Sequence, residues 1–321
     1  MKILMLADVL DVGGAETHIE TLARELKKRG NLVAVASRGG RIAEKMRKSG
    51  LSHANLQRSS GKSGKNTSFA LEIFLDFVKI SRVISKNRPD IVHAHTRKTA
   101  FLAKPVCRAL KIPLIVTAHA KFSMKFPKAA LSVWGDRTIA VSEDVARHVA
   151  SHSAHKNLRI SVINNGISLE SEQKKYPRDE KMHLAELKIA KKRVIFVSRL
   201  DGDCSRGAYI LCEIAPYLYK KYPEIQFLIV GGGREFEKIK QKAEETNRNT
   251  NRELIKMLGY VENPSQIYQK GDLFVGVSRA APEAMARGCA AVLLGDEGYL
   301  GLLDERSVSA ARRTNFTCRA E

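Results

Sequence analysis

Hydrophobic and polar positions in the first thirty residues predict a strand, a glycine turn and a helix. Residues 2–6 are a short apolar run, which is typical of a buried strand. Beyond the turn, four apolar side chains recur at i, i+3, i+4 and i+7, the spacing of one helix face: Ile19, Leu22, Ala23 and Leu26. Glu16 lies in the first turn of this helix and basic residues lie in its last turn, and both positions are favourable for the helix dipole.

The same alternation of strands and helices continues along the chain and restarts once. In the first run we predict strands at 2–6, 32–36, 91–95, 114–117, 137–141 and 160–163. A polar stretch over residues 169–192 is interpreted as a linker with a short helix. In the second run we predict a helix at 283–287 and strands at 194–197, 225–230, 254–258, 273–277 and 290–294. Two such runs predict two doubly wound, Rossmann-like α/β domains, residues 1–168 and 193–321, which face each other across a cleft.

Ligands of doubly wound sheets bind beyond the carboxyl ends of the strands, so the residues at those ends are the candidates for function. They are Gly13, Gly14, His93, His95, His119, Arg199, residues 231–233 and the turn 278–283. Gly13 and Gly14 lack a Cβ, which lets an anion such as phosphate approach the N-terminus of the first helix. A plain tight turn without a ligand explains the same two glycines equally well.

Histidines at i and i+2 lie on one face of a strand, as a pair of metal ligands does. His93 and His95 have this spacing, but the sequence offers no third ligand beside them. Structural roles are therefore favoured for the pair, and we predict neither a metal nor a cofactor.

The charge balance narrows the class of partner. The chain carries 55 Lys and Arg residues against 34 Asp and Glu residues, a formal net charge of +21. A basic surface attracts phosphates, anionic lipid or nucleic acid, although a solvated basic surface without a partner explains the charge as well. Aromatic residues make up 6% of the chain and form no aromatic–basic RNA signature, which argues against a nucleic-acid partner.

The cysteines and the N-terminus indicate the compartment. Five cysteines are scattered along the chain without C-x-x-C spacing, which indicates a reducing compartment and no structural zinc site. Asp8 interrupts the first apolar run, which is therefore too short for a signal peptide, and no run is long enough to span a membrane. We expect a cytoplasmic protein.

Nine short motifs spread over nearly the whole chain resemble, in the same order, those of the retaining, GT-B-fold glycosyltransferases of glycosyltransferase family 4 (group 1). The motifs are GGAE at 13–16, DIVHAH at 90–95, VTAH at 116–119, AVS at 140–142, VINNGI at 162–167, SRL at 198–200, LIVGGG at 228–233, LGYV at 258–261 and EAMA at 283–286. Each motif is short, and their common order carries the resemblance.

The resemblance implies an enzyme that transfers a sugar from a nucleotide-diphosphate sugar, with retention at the anomeric carbon and without a metal. It implies that the amides around Gly14 touch the donor diphosphate and that His119 hydrogen-bonds the transferred sugar. By the same resemblance, Arg199 neutralises the diphosphate, the backbone near Val261 holds the base and Glu283 binds the ribose hydroxyls.

The charges and hydrogen-bonding groups of these residues suit the roles that the resemblance implies. A leaving diphosphate develops negative charge, which preorganised cations and amides stabilise, and a planar guanidinium suits phosphate. Simpler explanations stay open for three of the residues. They are a strand-end histidine bonded to backbone for His119, a surface ion pair for Arg199 and a carboxylate stabilised by the helix dipole for Glu283.

Three features depart from the pattern of the family. The basic residue expected in the loop after the SRL motif is replaced by Cys204, and Arg206 is the candidate to contact the diphosphate instead, although its phase differs. The second carboxylate expected eight positions before Glu283 is replaced by Val275. Family members usually continue beyond the point where this chain ends, so we expect a shortened C-terminal domain.

The sequence predicts a cytoplasmic glycosyltransferase whose acceptor is a lipid or polysaccharide of the cell envelope. Two alternatives stay open, namely a non-catalytic member that binds a nucleotide sugar or glycan, and a nucleotide-sugar epimerase. On the acceptor side, Lys121, Lys125 and Lys128 lie among three large apolar side chains. We expect them to hold the protein against the anionic inner face of the membrane, although a solvated loop explains them equally well.

Overall fold

The computed structural model of the 321-residue chain describes residues 1–56, 69–122, 132–153, 158–167, 192–269 and 272–319. The chain divides into two compact units, Met1–Gly166 and Ile167–Glu321. Each unit contains one sheet with helices packed against it. Residues 169–191 of the predicted linker lie outside the described residues, whereas Lys192 begins the first strand of the second sheet.

Seven parallel strands form the sheet of the first unit, in the order β3-β2-β1-β4-β5-β6-β7. They are β1 (Lys2–Leu6), β2 (Leu32–Ser37), β3 (Ser52–Asn55), β4 (Ile91–Ala94), β5 (Leu114–Ala118), β6 (Arg137–Ala140) and β7 (Ile160–Val162). The helices described between them are α1 (Gly14–Lys28), α2 (Arg41–Lys48), α3 (Phe69–Asn87), α4 (Arg97–Leu110) and α5 (Glu143–His152). The strand order reverses between β1 and β4, and doubly wound sheets bind ligands at such a switch point.

Six strands form the sheet of the second unit, in the order β10-β9-β8-β11-β12-β13. They are β8 (Lys192–Val197), β9 (Ile225–Val230), β10 (Ile255–Gly259), β11 (Leu273–Gly276), β12 (Ala290–Gly295) and β13 (Gly298–Leu302). The α-helices are α6 (Arg206–Lys221), α7 (Phe236–Thr250), α8 (Ala280–Met285) and α9 (Ser307–Arg313). The first five strands in this order are parallel and β13 runs antiparallel to β12. The strand order reverses here between β8 and β11.

Both faces of each sheet are buried, which is why the central strands are continuous apolar runs. In β1, Leu4 and Leu6 pack on the face covered by α3 and α4, while Ile3 and Met5 pack on the face covered by α1 and α2. Two further clusters cover the faces of the second sheet in the same way. A one-residue slip would exchange the two faces of a strand, so this packing fixes where each strand ends.

The predicted pair of doubly wound α/β domains is confirmed. The pattern does not predict α2, β3, β13 or α9, and β3 is missed because its Ser-His-Ala-Asn sequence contains no apolar run. The helix predicted at 283–287 is present, but its predicted bounds are wrong, since α8 spans Ala280–Met285. Pro282 lies in the first turn of α8, where a proline is tolerated because the N–H it lacks would have no partner within the helix.

Candidate functional site

The carboxyl ends of the neighbouring strands β4 and β5 bring three histidines together. His93 lies in β4, His95 follows that strand directly and His119 follows β5. The Nδ1 atom of His95 lies 3.1 Å from Nε2 of His119, at hydrogen-bond distance. One layer deeper, Nε2 of His93 lies 2.7 Å from Oγ1 of Thr117. The sequence predicts each histidine at a strand end but does not predict that His95 and His119 bond to each other.

A fourth histidine, His18, joins this cluster from α1. The centroid of its ring lies 5.3 Å from that of His119 and 6.2 Å from that of His95. The helix delivers it there because α1 follows β1, and β1 pairs with β4 in the sheet. The place of His18 in the site was not predicted, although its position near the start of a helix that begins at this sheet edge was a usable signal.

Burial keeps His93, His95 and His119 uncharged at neutral pH. Burial and the nearby His18 lower the pKa of His93 and of His119 to about 3. Burial, with His93 and His119 beside it, lowers the pKa of His95 well below its ordinary range. A neutral imidazole has one N–H donor and one acceptor nitrogen, so these three histidines can hydrogen-bond to hydroxyl groups but supply no positive charge.

Two ring nitrogens of the cluster have no hydrogen-bond partner among the described residues. They are Nε2 of His95 and Nδ1 of His119, and both atoms are buried. Buried polar atoms are usually paired, so an orphaned one needs an explanation, and a ligand that supplies the missing partner is one such explanation. His119 is the more exposed residue of the two, because its side chain is partly exposed whereas His95 is buried.

The glycine turn is placed as the sequence predicts, with Gly13 directly before α1 and Gly14 as its first residue. A Cβ on Gly13 would lie 2.2 Å from Oε2 of Glu16, so the carboxylate of Glu16 folds back over the turn. An anion at this helix start would face that negative charge unless the flexible Glu16 side chain moves away. Contact between the Gly14 amide and a diphosphate therefore stays a prediction.

The pairing of His93 and His95 as metal ligands receives no support. Across the described ranges, no three His, Cys, Asp or Glu side chains are placed to bind a metal ion. His93 and His95 instead face Thr117 and His119. The five cysteines are free thiols.

Arg199 lies in the loop that follows β8 in the second unit. It is exposed and forms no hydrogen bond or ion pair with any residue that the structure describes. Its loop is fastened to the turn after β9, because Ser198 N donates to Val230 O at 3.1 Å and Leu200 N donates to Gly232 O at 3.0 Å. The surface ion pair considered for Arg199 is not found in this part of the chain, and a fixed backbone presents the guanidinium to solvent.

Glycines hold this loop and the turn after β9 in close approach. A Cβ on Gly231 would lie 1.8 Å from the carbonyl oxygen of Ser198, and one on Gly233 would lie 2.4 Å from that of Leu200. Both glycines have a positive φ, 144° and 154°, which other residues rarely adopt. The glycine run therefore has a structural function, which is to position the loop that carries Arg199.

Cys204 and Arg206 follow that loop in order. Cys204 is exposed in the 3₁₀ turn Gly202–Ser205, and the exposed Arg206 is the first residue of α6. Nη1 of Arg206 donates to the carbonyl oxygen of Asp296 at 3.4 Å, a long bond. The position expected to be basic is thus uncharged and exposed, and Arg206 would have to leave Asp296 to contact a diphosphate.

Glu283 is held by the residue that directly precedes its helix. Nε of the buried Arg279, the N-cap residue of α8, donates to Oε1 of Glu283 at 2.7 Å. Glu283 is the fourth residue of α8 and not its first, but it still lies in the first turn and close to the carboxyl end of β11. Arg279 and the helix dipole both stabilise this carboxylate, and a role at the ribose stays a prediction.

Two further positions of the second unit bear on the predicted donor site. Val261 follows β10, and its backbone N–H and C=O groups bond to no described residue, so the N–H can donate to a ligand and the C=O can accept from one. Val275 lies in β11, is 5% exposed and packs in the apolar core. Val275 therefore supplies no polar group at the site where the family carries its second carboxylate.

The predicted membrane-facing segment is described only in part, since Lys125 and Lys128 lie outside the described residues. Lys121 forms an ion pair with the buried Asp144, with Nζ 3.4 Å from Oδ2. Phe122 packs against the apolar core of the first unit and lies under the guanidinium of Arg97. These two residues are therefore engaged within the protein. No helix in the described ranges is long and apolar enough to cross a membrane.

A second polar cluster lies at the same edge of the first sheet. The sequence does not predict it, because its members come from four separate segments. Nζ of Lys98 lies 2.7 Å from the buried Asp76 and 3.6 Å from Asp8, and Arg38 contacts both carboxylates. Burial raises the pKa of Asp76, but hydrogen bonds from Lys98 and Arg38 outweigh it and leave that pKa below its ordinary value. Two cations and two carboxylates balance, which suits a neutral, hydroxyl-rich ligand better than an anion.

Comparison with protein families matches both units. The model of Glycosyltransferase Family 4 matches residues 12–171, and the model of Glycosyl transferases group 1 matches residues 191–305. A characterised relative is the UDP-Gal:alpha-D-GlcNAc-diphosphoundecaprenol alpha-1,3-galactosyltransferase of Escherichia coli, which is 27% identical over 66% of this chain. The match covers 59% of that relative, so the chain spans about three fifths of its length.

Solved structures share the fold. The Anabaena protein Alr3699/HepE, crystallised in complex with UDP-glucose, has a TM-score of 0.70 and 18% identity, and the match covers 98% of this chain and 92% of that one. The UDP-GlcNAc 2-epimerase of Methanocaldococcus jannaschii has a TM-score of 0.64 and 14% identity, with 97% and 86% covered. The two sheets and these neighbours show a two-domain, Rossmann-like GT-B fold. With both of its units matched by family models, this chain belongs to the family 4, group 1 glycosyltransferases.

Proposed function

We propose that the chain transfers a sugar from a uridine-diphosphate sugar to a lipid-linked acceptor of the cell envelope, with retention of configuration. The name of the Escherichia coli relative supports both the uridine donor and the lipid diphosphate acceptor. The UDP-glucose complex of the Anabaena neighbour supports the donor class through the shared fold. The observation that carries the proposal is the exposed Arg199 on its fastened loop, which has no partner in the described part of the chain, because such a cation fits a leaving diphosphate.

The proposed roles follow from the chemistry at the two sheet edges. The bond from the anomeric carbon to the diphosphate breaks, the acceptor hydroxyl forms the new bond, and its proton is released. Arg199, assisted by Arg206 and by the amides around Gly14, stabilises the charge that develops on the leaving diphosphate. His119 donates a hydrogen bond to the transferred sugar, since a neutral imidazole suits a hydroxyl group.

The nucleoside would be held by the second unit. The unpaired backbone groups of Val261 suit the edge of a base, and the carboxylate of Glu283 suits two vicinal ribose hydroxyls. Glu283→Gln keeps the shape and removes the charge, so the variant should bind UDP about tenfold more weakly with little change in melting temperature. Unchanged affinity would leave Glu283 as a partner of Arg279 only.

The location of the reaction is part of the proposal. A net charge of +21 favours approach to an anionic surface, and the lipid acceptor of the relative supports a cytoplasmic protein at the inner face of the membrane. Lys121 already forms an ion pair with Asp144, so we do not assign membrane contact to Lys121. We therefore assign membrane contact to the basic surface as a whole.

A second candidate function, binding of a nucleotide sugar without transfer, is favoured by Val275. This buried residue stands where the family carries a carboxylate, so the donor sugar loses one partner. An epimerase is a third candidate, with the fold of the Methanocaldococcus enzyme as its support.

One assay separates the three candidates. Purified chain is incubated with radiolabelled UDP-galactose, UDP-glucose or UDP-GlcNAc, with GDP-mannose as control, and with vesicles that contain GlcNAc-diphosphoundecaprenol. A transferase moves label from a uridine donor into the lipid phase, and the anomeric coupling constant of the product reports retention. An epimerase interconverts the free nucleotide sugars without vesicles. Saturable donor binding in calorimetry with neither product would reject transfer.

A further inference from the structure

We propose that His95 is a positioning residue that donates its Nδ1 proton to Nε2 of His119 and thereby holds His119 in the tautomer that carries its proton on Nδ1. The inference rests on the proposed function only for the identity of the ligand, since the tautomer is a property of the free protein. The proposal gives His95 a positioning role, whereas His119 is the residue that contacts the ligand.

The geometry couples the two rings directly. Nδ1 of His95 and Nε2 of His119 lie 3.1 Å apart, and the rings are nearly parallel, with an interplanar angle of 28°. His93 packs against the other side of the network, with its ring centroid 4.1 Å from that of His95. His93 is itself bonded to Thr117 at 2.7 Å, so the ring of His95 has little freedom to turn.

The number of protons restricts the pair to two arrangements. Both rings are neutral, so each carries one N–H group and one acceptor nitrogen. One N–H is used in the bond between the rings, and one N–H is left at an outer nitrogen. The outer nitrogens are Nε2 of His95 and Nδ1 of His119, which lack partners among the described residues.

Burial decides between the two arrangements. If His119 donated, the remaining N–H would lie on Nε2 of His95, a residue that is only 4% exposed. If His95 donates, the remaining N–H lies on Nδ1 of His119, an atom that is itself buried but belongs to a partly exposed side chain at the sheet edge, where a ligand can approach. An orphaned buried N–H is costly, and a ligand can relieve that cost only where it can reach the donor. The second arrangement is therefore favoured.

The direction of the bond determines what His119 offers to a ligand. With its proton on Nδ1, His119 donates to an oxygen of the bound sugar or diphosphate. With the opposite direction, the same nitrogen would present a lone pair and would require a donor from the ligand. His95 thus selects a ligand oxygen that accepts a hydrogen bond, although His95 itself need not touch the ligand.

Nitrogen NMR of the free protein tests the direction without any substrate. In ¹⁵N-histidine-labelled protein, long-range proton–nitrogen correlations identify which ring nitrogen carries the proton. The signals of His119 are assigned by their loss in His119→Gln. We expect the proton of His119 on Nδ1 in the native chain. A proton on Nε2 of His119 in the native chain would overturn the proposal.

Two substitutions of His95 provide the matched comparison. His95→Asn places an amide N–H near the position of Nδ1, so His119 should keep its proton on Nδ1. His95→Leu fills the space without a donor, so His119 should lose that preference. His53→Asn is the control, because His53 lies in β3 and bonds to Ser37 of β2. This substitution should leave the tautomer of His119 unchanged. Native-like His119 signals in a folded His95→Leu variant would overturn the proposal.

The outcome is separate from that of the transferase assay. A correct tautomer in a chain that transfers no sugar would reject the proposed function and leave the positioning role intact. A transferase with the proton of His119 on Nε2 would do the reverse. Should His95→Leu fail to fold, the tautomer of the native chain and of His95→Asn still decides the question.

Discussion

Ionisable side chains at the carboxyl ends of the strands differ between the sheet of the first unit and that of the second. In the first unit His93, His95 and His119 are neutral; His95 bonds to His119, and His93 bonds to Thr117. In the second unit Arg199 is exposed and has no partner among the described residues, and backbone hydrogen bonds fasten its loop. The first edge is suited to hydroxyl groups and the second to phosphate, and a nucleotide sugar carries both kinds of group.

Both edges follow a common rule, namely that among the described residues an ionisable group is buried only when it is neutral or paired. The histidines satisfy the rule by staying neutral. In the second unit, Arg193 and Asp272 are both buried, and they satisfy it by forming a two-bond ion pair. Arg199 is exempt because it is solvated, so its charge remains available for binding.

The largest expected effect comes from breaking the buried ion pair. Asp272→Asn leaves the guanidinium of Arg193 buried without its countercharge, and we expect the free energy of unfolding to fall by about 3–5 kcal/mol. Glu213→Gln is the control, because its partner Lys242 is partly exposed and the pair should contribute less than about 1 kcal/mol. Urea unfolding of the two variants measures the difference. Equal losses in the free energy of unfolding would mean that burial does not determine how much an ion pair contributes to stability.

The next effect concerns the loop that carries Arg199. Gly231→Ala would place a methyl group 1.8 Å from the carbonyl oxygen of Ser198, so the loop must move or strain, and we expect a loss of about 3 kcal/mol. Gly232→Ala is matched in chemistry, but its Cβ would meet no atom closer than 3.6 Å, so its loss should be below about 1 kcal/mol. Thermal unfolding and UDP binding are measured on both. A stable Gly231→Ala variant with native UDP affinity would contradict this account of the loop.

The histidine cluster makes stability depend on pH in a defined window. The pKa of His93 is about 3 in the folded protein, against 6.5 as the ordinary value that we assign to the unfolded chain. Below pH 6.5 the unfolded chain binds the extra proton, so stability is fully present above that pH and falls as the pH is lowered towards 3. Each such histidine should contribute about 1.4 kcal/mol per pH unit, or about 2 kcal/mol between pH 6.5 and 5.

Urea unfolding at pH 7, 6 and 5 measures this slope. His93→Gln keeps an amide near Thr117 but does not titrate, so its slope should be smaller by the contribution of one histidine. An unchanged slope would show that His93 is charged or solvated in the folded protein.

The smallest expected effect comes from placing a positive charge at position 204, where the family carries a basic residue. Cys204→Lys places a cation at an exposed position beside the Arg199 loop, and UDP affinity should rise about tenfold, or about 1.4 kcal/mol. Cys204→Ser is the control without charge and should bind as the native chain does. Calorimetry that finds no gain in the lysine variant would mean that Arg206 already serves the diphosphate, or that this turn lies away from it.

The sequence predicts most of the fold because buried parallel strands are apolar on both faces. Strand β1 is an example, since its residues pack on two sides of the sheet. The pattern fails where elements are short or polar, as in β3, and where a proline lies in the first turn of a helix, as in α8. In both cases the apolar periodicity that carries the prediction is absent.

The candidate site is predicted less completely, because its members meet through the sheet and not along the chain. His95 and His119 are found as strand ends, but their hydrogen bond depends on the pairing of β4 with β5. His18 approaches from a helix and is missed. The function of Gly231 in placing Arg199 is missed as well, since it depends on contact between two loops.

The central claim is that charge acts at the second sheet edge and neutral hydrogen bonding at the first. Calorimetry of UDP and of UDP-glucose with Arg199→Ala and with His119→Gln tests it most directly. We expect Arg199→Ala to weaken both ligands by about tenfold or more, and His119→Gln to weaken only UDP-glucose, because UDP lacks the sugar. Loss of UDP affinity in His119→Gln with native affinity in Arg199→Ala would contradict the account.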